Sequence, residues 1–188
     1  MATCLPAILY FIIRGKGCNM SLYRLFKDYK EELDLACIQN SGVECELYSI
    51  IATIIRESEQ GANISLRDVT VRRETINSKR LKGESGFPDF VVLSREKIYA
   101  AKIYGCIEVK AFFEELDANK YKTQLEGHIK SYNKVIYTDG LTWRLYDKDI
   151  DEPVWEVVLG QYMDGKIYWY EHDKWFKLLN RLDNIKWF

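Results

Sequence analysis

The chain has no surplus of either charge. Its 27 Lys and Arg stand against 28 Asp and Glu, so the net charge is -1 over 188 residues. That excludes a protein that coats nucleic acid by bulk positive charge, while a local basic face stays open. Paired cysteines are missing too. Cys4, Cys18, Cys37, Cys45 and Cys106 are odd in number and none stands in a CxxC spacing. Neither a disulfide framework nor a structural zinc site is expected, and reduced thiols in a cytoplasmic protein are the reading. Long apolar runs are absent as well. Residues 7–13 are apolar but too short to span a bilayer, no basic segment precedes them and no small-residue cleavage site follows. Gly15-Lys16-Gly17 lacks the full phosphate-loop pattern. There is no internal repeat, low-complexity linker, helicase motif or methyltransferase motif.

What is present suits one domain: 47% apolar and 29% charged residues, with a chain long enough for a sizeable core. Residues 1–19 read as an extension. Met20 opens a helical sequence, so translation is expected to begin there; otherwise the extension is a short strand or helix packed on the body. Residues 20–188 form the domain.

Apolar spacing predicts a helix over 21–38, through Leu22, Leu25, Phe26, Tyr29 and Leu33. A second is expected over 43–58, capped by Ser41, with Val43, Leu47, Ile50, Ile51, Ile54 and Ile55 as its stripe. Residues 67–73 look extended and 74–86 form a polar loop. Strands are expected at 87–93 and 98–112, the latter bulged near Gly105. A helix at 118–132 follows, then strands at 134–138 and 142–146 joined at Asp139-Gly140. Weaker strand signals lie at 154–159 and 166–170, before an amphipathic helix marked by Trp175, Leu178, Leu179, Leu182 and Ile185. Helices, strands, one crossover helix and more strands give an α/β sandwich with a mixed sheet.

Three charges sit where charges are costly. Asp89 interrupts one apolar strand, and Glu108 and Lys110 interrupt another. Strand alternation puts Glu108 and Lys110 on one face, with Ile107 and Val109 on the other. Such groups need partners, because desolvation penalises them. A hard divalent cation would serve: two carboxylates and a backbone carbonyl can hold Mg²⁺, which usually keeps several waters and can activate one against a phosphodiester. Lys110 would offset the acids and orient water or phosphate. The apolar context carries more weight than the spacing.

Pro88-Asp89 and Glu108-Val109-Lys110 resemble the PD-(D/E)xK nuclease superfamily. The resemblance implies a restriction-endonuclease-like α/β sandwich, with a central mixed β-sheet flanked by helices. It implies a Mg²⁺-dependent endonuclease on DNA, with Mn²⁺ able to substitute, in restriction or defence or of mobile-element origin. Asp89, Glu108 and the Val109 carbonyl would bind metal, and Lys110 would assist the nucleophile. Family members often add a Glu on the preceding helix, here Glu44, and a Gln on the following one, here Gln124. For Glu44 a solvated helix-start acid remains the alternative. The segment TDGLTWRLYD is similar to a T-(N/D)-G-x-x-W hairpin in nuclease domains of type I restriction subunits. The resemblance covers about residues 40–150. Iron–sulfur branches are disfavoured, because no cysteine follows Cys106.

Arg72, Arg73, Lys79, Arg80 and Lys82 precede the Pro-Asp pair and can contact DNA phosphates, or form a solvated loop with Glu74 and Glu84. His128 reads as a packed or partly exposed histidine rather than a general base, and His172 as a surface residue. The tryptophans read as core or interface. The expected partner is DNA, with a homodimer or a targeting subunit possible. Two other functions stay open: a non-catalytic nucleic-acid-binding or interaction module on the same fold, and an RNA or repair nuclease.

Overall fold

A computed structural model describes residues 25–39, 43–71 and 75–188. The extension at 1–19, the start of the first expected helix, the Ser41 cap, Arg72 and Arg73 lie outside the described residues.

Helix α1 spans Phe26–Gln39 and buries Phe26, Tyr29 and Leu33, as the spacing predicts; Leu25 is exposed. The second expected helix divides. A 3₁₀ turn at Glu44–Leu47 leads into α2, Tyr48–Arg56, and Val43 is exposed rather than part of the stripe. Leu47, Ile50, Ile51, Ile54 and Ile55 are buried. Burying an aliphatic side chain of this size contributes ~1.5–3 kcal/mol, so the stripe fixes how α2 faces the sheet.

Six strands form the main sheet in the order β1-β2-β3-β4-β5-β6. They are β1 Ile64–Asp68, β2 Phe90–Ser94, β3 Ile103–Val109, β4 Lys134–Thr138, β5 Thr142–Asp147 and β6 Trp155–Val158. The β3–β4 pair is parallel and the others are antiparallel, so the sheet is mixed. Helix α3, Asn119–Ser131, supplies the crossover between β3 and β4 that a parallel pair requires. A hairpin of β7 Gly160–Met163 and β8 Lys166–Trp169 follows, then α4, Asp173–Asp183. The chain is thus a mixed α/β fold with a six-stranded mixed sheet flanked by helices, the expected class.

Alternation along the strands divides the core. Phe90, Val92, Ile107, Val109, Ile136, Trp143 and Val157 pack with α1, α2 and α4 on one face. Val91, Leu93, Cys106, Val135, Tyr137 and Tyr146 pack on the other with Ile129 of α3 and with Tyr132 just past its end.

Several boundaries move. The strand expected at 67–73 lies earlier, at β1. The one expected at 98–112 is shorter, because Ile98 and Tyr99 are exposed in a turn. The bulge is where Gly105 predicts it. Val92 faces Gly105 and Leu93 faces Ile103, which leaves Tyr104 unpaired. A Cβ on Gly105 would stand 2.4 Å from the Lys134 carbonyl oxygen, so that approach of β3 to β4 requires glycine. Gly140, at φ +84°, turns the β4–β5 connection, and its carbonyl accepts from the Tyr29 hydroxyl and from Trp143 Nε1. Strand β7 had no sequence signal of its own.

Candidate active site

Asp89 stands just before β2, and Glu108 and Lys110 stand at the end of β3. In the antiparallel register Phe90 faces Ile107. One further step sets Asp89 against Glu108. All three residues are buried, with exposures of 7%, 3% and 4% for Asp89, Glu108 and Lys110. The structure therefore brings together the three residues singled out in the sequence, on one sheet end where both helical layers meet.

Each carboxylate has partners. Asp89 Oδ2 accepts the Val109 backbone N–H at 2.7 Å, and Asp89 Oδ1 accepts the Tyr48 hydroxyl. Glu108 Oε1 accepts from Lys110 Nζ at 2.5 Å. Glu108 Oε2 faces His128 Nε2 at 3.2 Å, short of good hydrogen-bond geometry, and neither atom has another partner. His128 is fully buried on α3, and its Nδ1 lies 3.1 Å from Ser85 Oγ. Lys110 Nζ also lies 4.9 Å from the centroid of the Tyr121 ring, a cation–π contact.

These contacts separate the two acids electrostatically. Burial and the Glu108 charge push Asp89 from its usual 3.8 up to about 7. Burial would raise Glu108 as well, but His128 and Lys110 outweigh it and hold Glu108 below the usual carboxylate range. Burial, followed by the hydrogen bond and charge of Asp89, raises the Tyr48 phenol, so it stays a donor at neutral pH.

Glu44 joins the edge of the cluster. It is half-buried in the 3₁₀ turn, Tyr48 Oη lies 3.4 Å from its Oε1, and it feels the charges of Lys110 and Glu108. Its carboxyl is raised, chiefly by burial. Gln124 is half-buried on α3, one turn before His128, and has no hydrogen bond to the cluster. Of the described basic residues, Arg80 bonds away from the cluster. Arg80 donates to the Ala101 carbonyl at 2.9 Å and covers the Tyr99 ring, whereas Lys79 and Lys82 are exposed.

Tyr48 and His128 are the members that sequence reasoning missed or set aside. Tyr48 is four residues after Glu44, hence one helical turn on, which was a usable signal. His128 shares the buried face of α3 with Ile129 and Tyr132, and there a packed histidine and a site histidine look alike.

Among the described residues, no three His, Cys, Asp or Glu side chains already form a coordination cluster. The donor set nonetheless suits a hard cation. Two acids face each other, one is pushed up by burial and by the other's charge, and buried Glu108 Oε2 lacks a well-formed hydrogen bond. A carboxylate oxygen also retains a lone pair beyond each bond it accepts. A surface depression of about 670 Å³ lies elsewhere, lined by residues such as Phe26, Lys30, Asp34 and Tyr170. It contains none of the site's acids.

No family model matches the chain, and no curated protein matches it. Among solved structures it is similar to a chain in the cryo-electron-microscopy structure of a DrdV–DNA complex, at 17% identity and a TM-score of 0.56. The match covers 88% of this chain and 14% of that one, so the likeness is one of fold, to a part of a much longer protein.

Proposed function

We propose that this chain is a metal-dependent phosphodiester hydrolase acting on DNA, of the PD-(D/E)xK type. One observation carries the reading: Asp89, Glu108 and Lys110, separated by up to 21 positions in sequence, converge in one buried cluster at the end of the sheet. The fold likeness to part of a DNA-complexed protein supports DNA as the substrate.

Asp89, Glu108, the Val109 carbonyl and Glu44 would hold Mg²⁺ or Mn²⁺. Bound there, the ion would polarise a phosphodiester and acidify a water. The chain's own groups prepare the site. The Val109 N–H and the Tyr48 hydroxyl fix both Asp89 oxygens, so its orientation costs nothing further on binding. Lys110 neutralises Glu108 in the resting state. Its ammonium can instead meet a phosphate oxygen or orient the attacking water.

A second reading, a non-catalytic nucleic-acid-binding module, is favoured by the closure of the cluster, since all three groups are buried. Incubation with plasmid, linear duplex, single-stranded DNA and RNA, with Mg²⁺, Mn²⁺ or EDTA, separates the two. Metal-dependent cutting lost in Asp89→Ala and Lys110→Ala is the expected result. DNA binding without cutting under every condition would refute the hydrolase. Cutting of RNA alone would move the substrate class.

A further inference from the structure

The loop before the Pro-Asp pair is fastened to α3 at several points. Gly83 and Gly86 bond to each other, with Gly83 N donating at 2.9 Å and Gly86 N at 3.2 Å. Glu84 N donates to Ser131 Oγ at 2.8 Å, and Ser131 Oγ donates to the Gly127 carbonyl at 2.7 Å. Gly127 admits the loop: a Cβ there would stand 2.6 Å from Ser85 Cβ. Ser85 Oγ thereby reaches His128 Nδ1 at 3.1 Å, and Nε2 of the same ring faces Glu108 Oε2 at 3.2 Å. The three side chains form a line from the loop, through the buried helix, to the acid.

We propose that Ser85 and His128 are positioning residues that hold Glu108. The Ser85 hydroxyl donates to Nδ1, and the neutral ring presents Nε2–H to Glu108 Oε2. The role in metal binding rests on the hydrolase reading, whereas the approach of the three side chains, at 3.1 Å and 3.2 Å, does not. Glu108 Oε2 and His128 Nε2 are both buried without a formed hydrogen bond and face each other at 3.2 Å, so a proton on that ring nitrogen would satisfy both. The opposite tautomer would set a nitrogen lone pair against a buried carboxylate, which is unfavourable. Nδ1 is then an acceptor, and Ser85 is the donor beside it. Held in this way, the carboxylate keeps one fixed orientation, the arrangement by which outer hydrogen bonds tune metal sites.

The test uses the full chain labelled with ¹⁵N-histidine and free of metal. Long-range ¹H–¹⁵N correlation spectra read the tautomer of His128, assigned against His172 by its loss in His128→Gln. The expected result is protonation at Nε2 in the wild type and a mixed tautomer in Ser85→Ala. A wild-type ring protonated at Nδ1, or one unmoved by Ser85→Ala, overturns the proposal. Titration with Mn²⁺ gives a second readout. His128→Leu should bind Mn²⁺ roughly 10-fold or more weakly, and His128→Gln, whose amide can still donate to Glu108, should recover much of that loss. Equal affinity in all variants overturns the positioning role even if the tautomer is as expected. Should the wild type bind no Mn²⁺ and cut nothing, the hydrolase reading and the metal-positioning role fall together, and the tautomer spectra still decide the hydrogen-bond line.

Discussion

Replacing Asp89 with Asn should make the metal-free protein more stable at pH 8. The carboxyl is pushed from 3.8 up to about 7 by burial and by Glu108. A raised acid means that the folded chain keeps a proton which the unfolded chain releases between about pH 4 and 7. Stability therefore falls as pH rises through that window, and the penalty is absent below it and complete above it. A shift of this size corresponds to on the order of 4 kcal/mol. Asn keeps its one acceptor for the Val109 N–H but loses the charge that strengthens that bond and the second oxygen that accepts from the Tyr48 hydroxyl, which together cost about 1–2 kcal/mol. A net gain of roughly 2–3 kcal/mol would raise the Tm by about 5–10 °C, given the ~2–4 °C per kcal/mol typical of this size. Thermal unfolding in EDTA at pH 8 and pH 4.5 measures it, and the difference between variant and wild type should nearly vanish at the lower pH. Added Mg²⁺ should then raise the wild-type Tm at pH 8, with a smaller effect at pH 6 because the proton competes, and should leave Asp89→Asn unchanged. An Asn variant that melts below the wild type at pH 8, or by the same margin at both pH values, would refute this account of the two acids.

Lys110→Met removes the ammonium 2.5 Å from Glu108 Oε1 in a cluster almost closed to water. It should cost about 3–5 kcal/mol by urea unfolding, and the double variant Lys110→Met/Glu108→Gln should recover most of the loss; a cost below about 1 kcal/mol would mean that the pair is well solvated. Gly140→Ala forces a side chain into φ +84°, with its Cβ 3.2 Å from Leu33 Cδ2. It should cost about 1–3 kcal/mol in the same assay, and a neutral result would show that the turn relaxes.

The strand-borne half of the site was legible because apolar strands reveal a misplaced charge. Asp89, Glu108 and Lys110 each break a run of β-branched or aromatic residues, and period-two alternation fixes the face that each occupies. The Gly105 bulge and the Gly140 turn were readable for a similar reason, since glycine in a strand or turn marks a backbone demand that no other residue meets. Boundaries were less legible. Ile98 and Tyr99 have strand-like side chains, yet a β2–β3 connection had to be found between two strands, and the turn took them. Nothing in residues 160–163 distinguished β7 from a loop, because its pairing with β8 supplies what its own composition does not.

The helix-borne half was hidden by a different kind of ambiguity. A histidine among apolar residues on a helix has the same sequence signature whether it fills space or bonds to an acid. His128 is decided by Gly127 beside it, which lets the Gly83–Gly86 loop lie against the helix and bring Ser85 to the ring. That is a contact between positions 43 residues apart, and no local pattern encodes it. Tyr48 is similar. Its ring packs edge-on to Phe90, which reads as core, yet the same packing aims its hydroxyl at Asp89. Four elements thus meet at this sheet end: the turn into α2, the approach to β2, the end of β3, and α3. A motif written on β2 and β3 records which charges are buried there. The end of β3 supplies part of what makes their burial tolerable, the Lys110 ammonium and the Val109 N–H, while Tyr48 and His128 come from the other two elements, and these decide whether the acids stand ready for a cation or are locked against it.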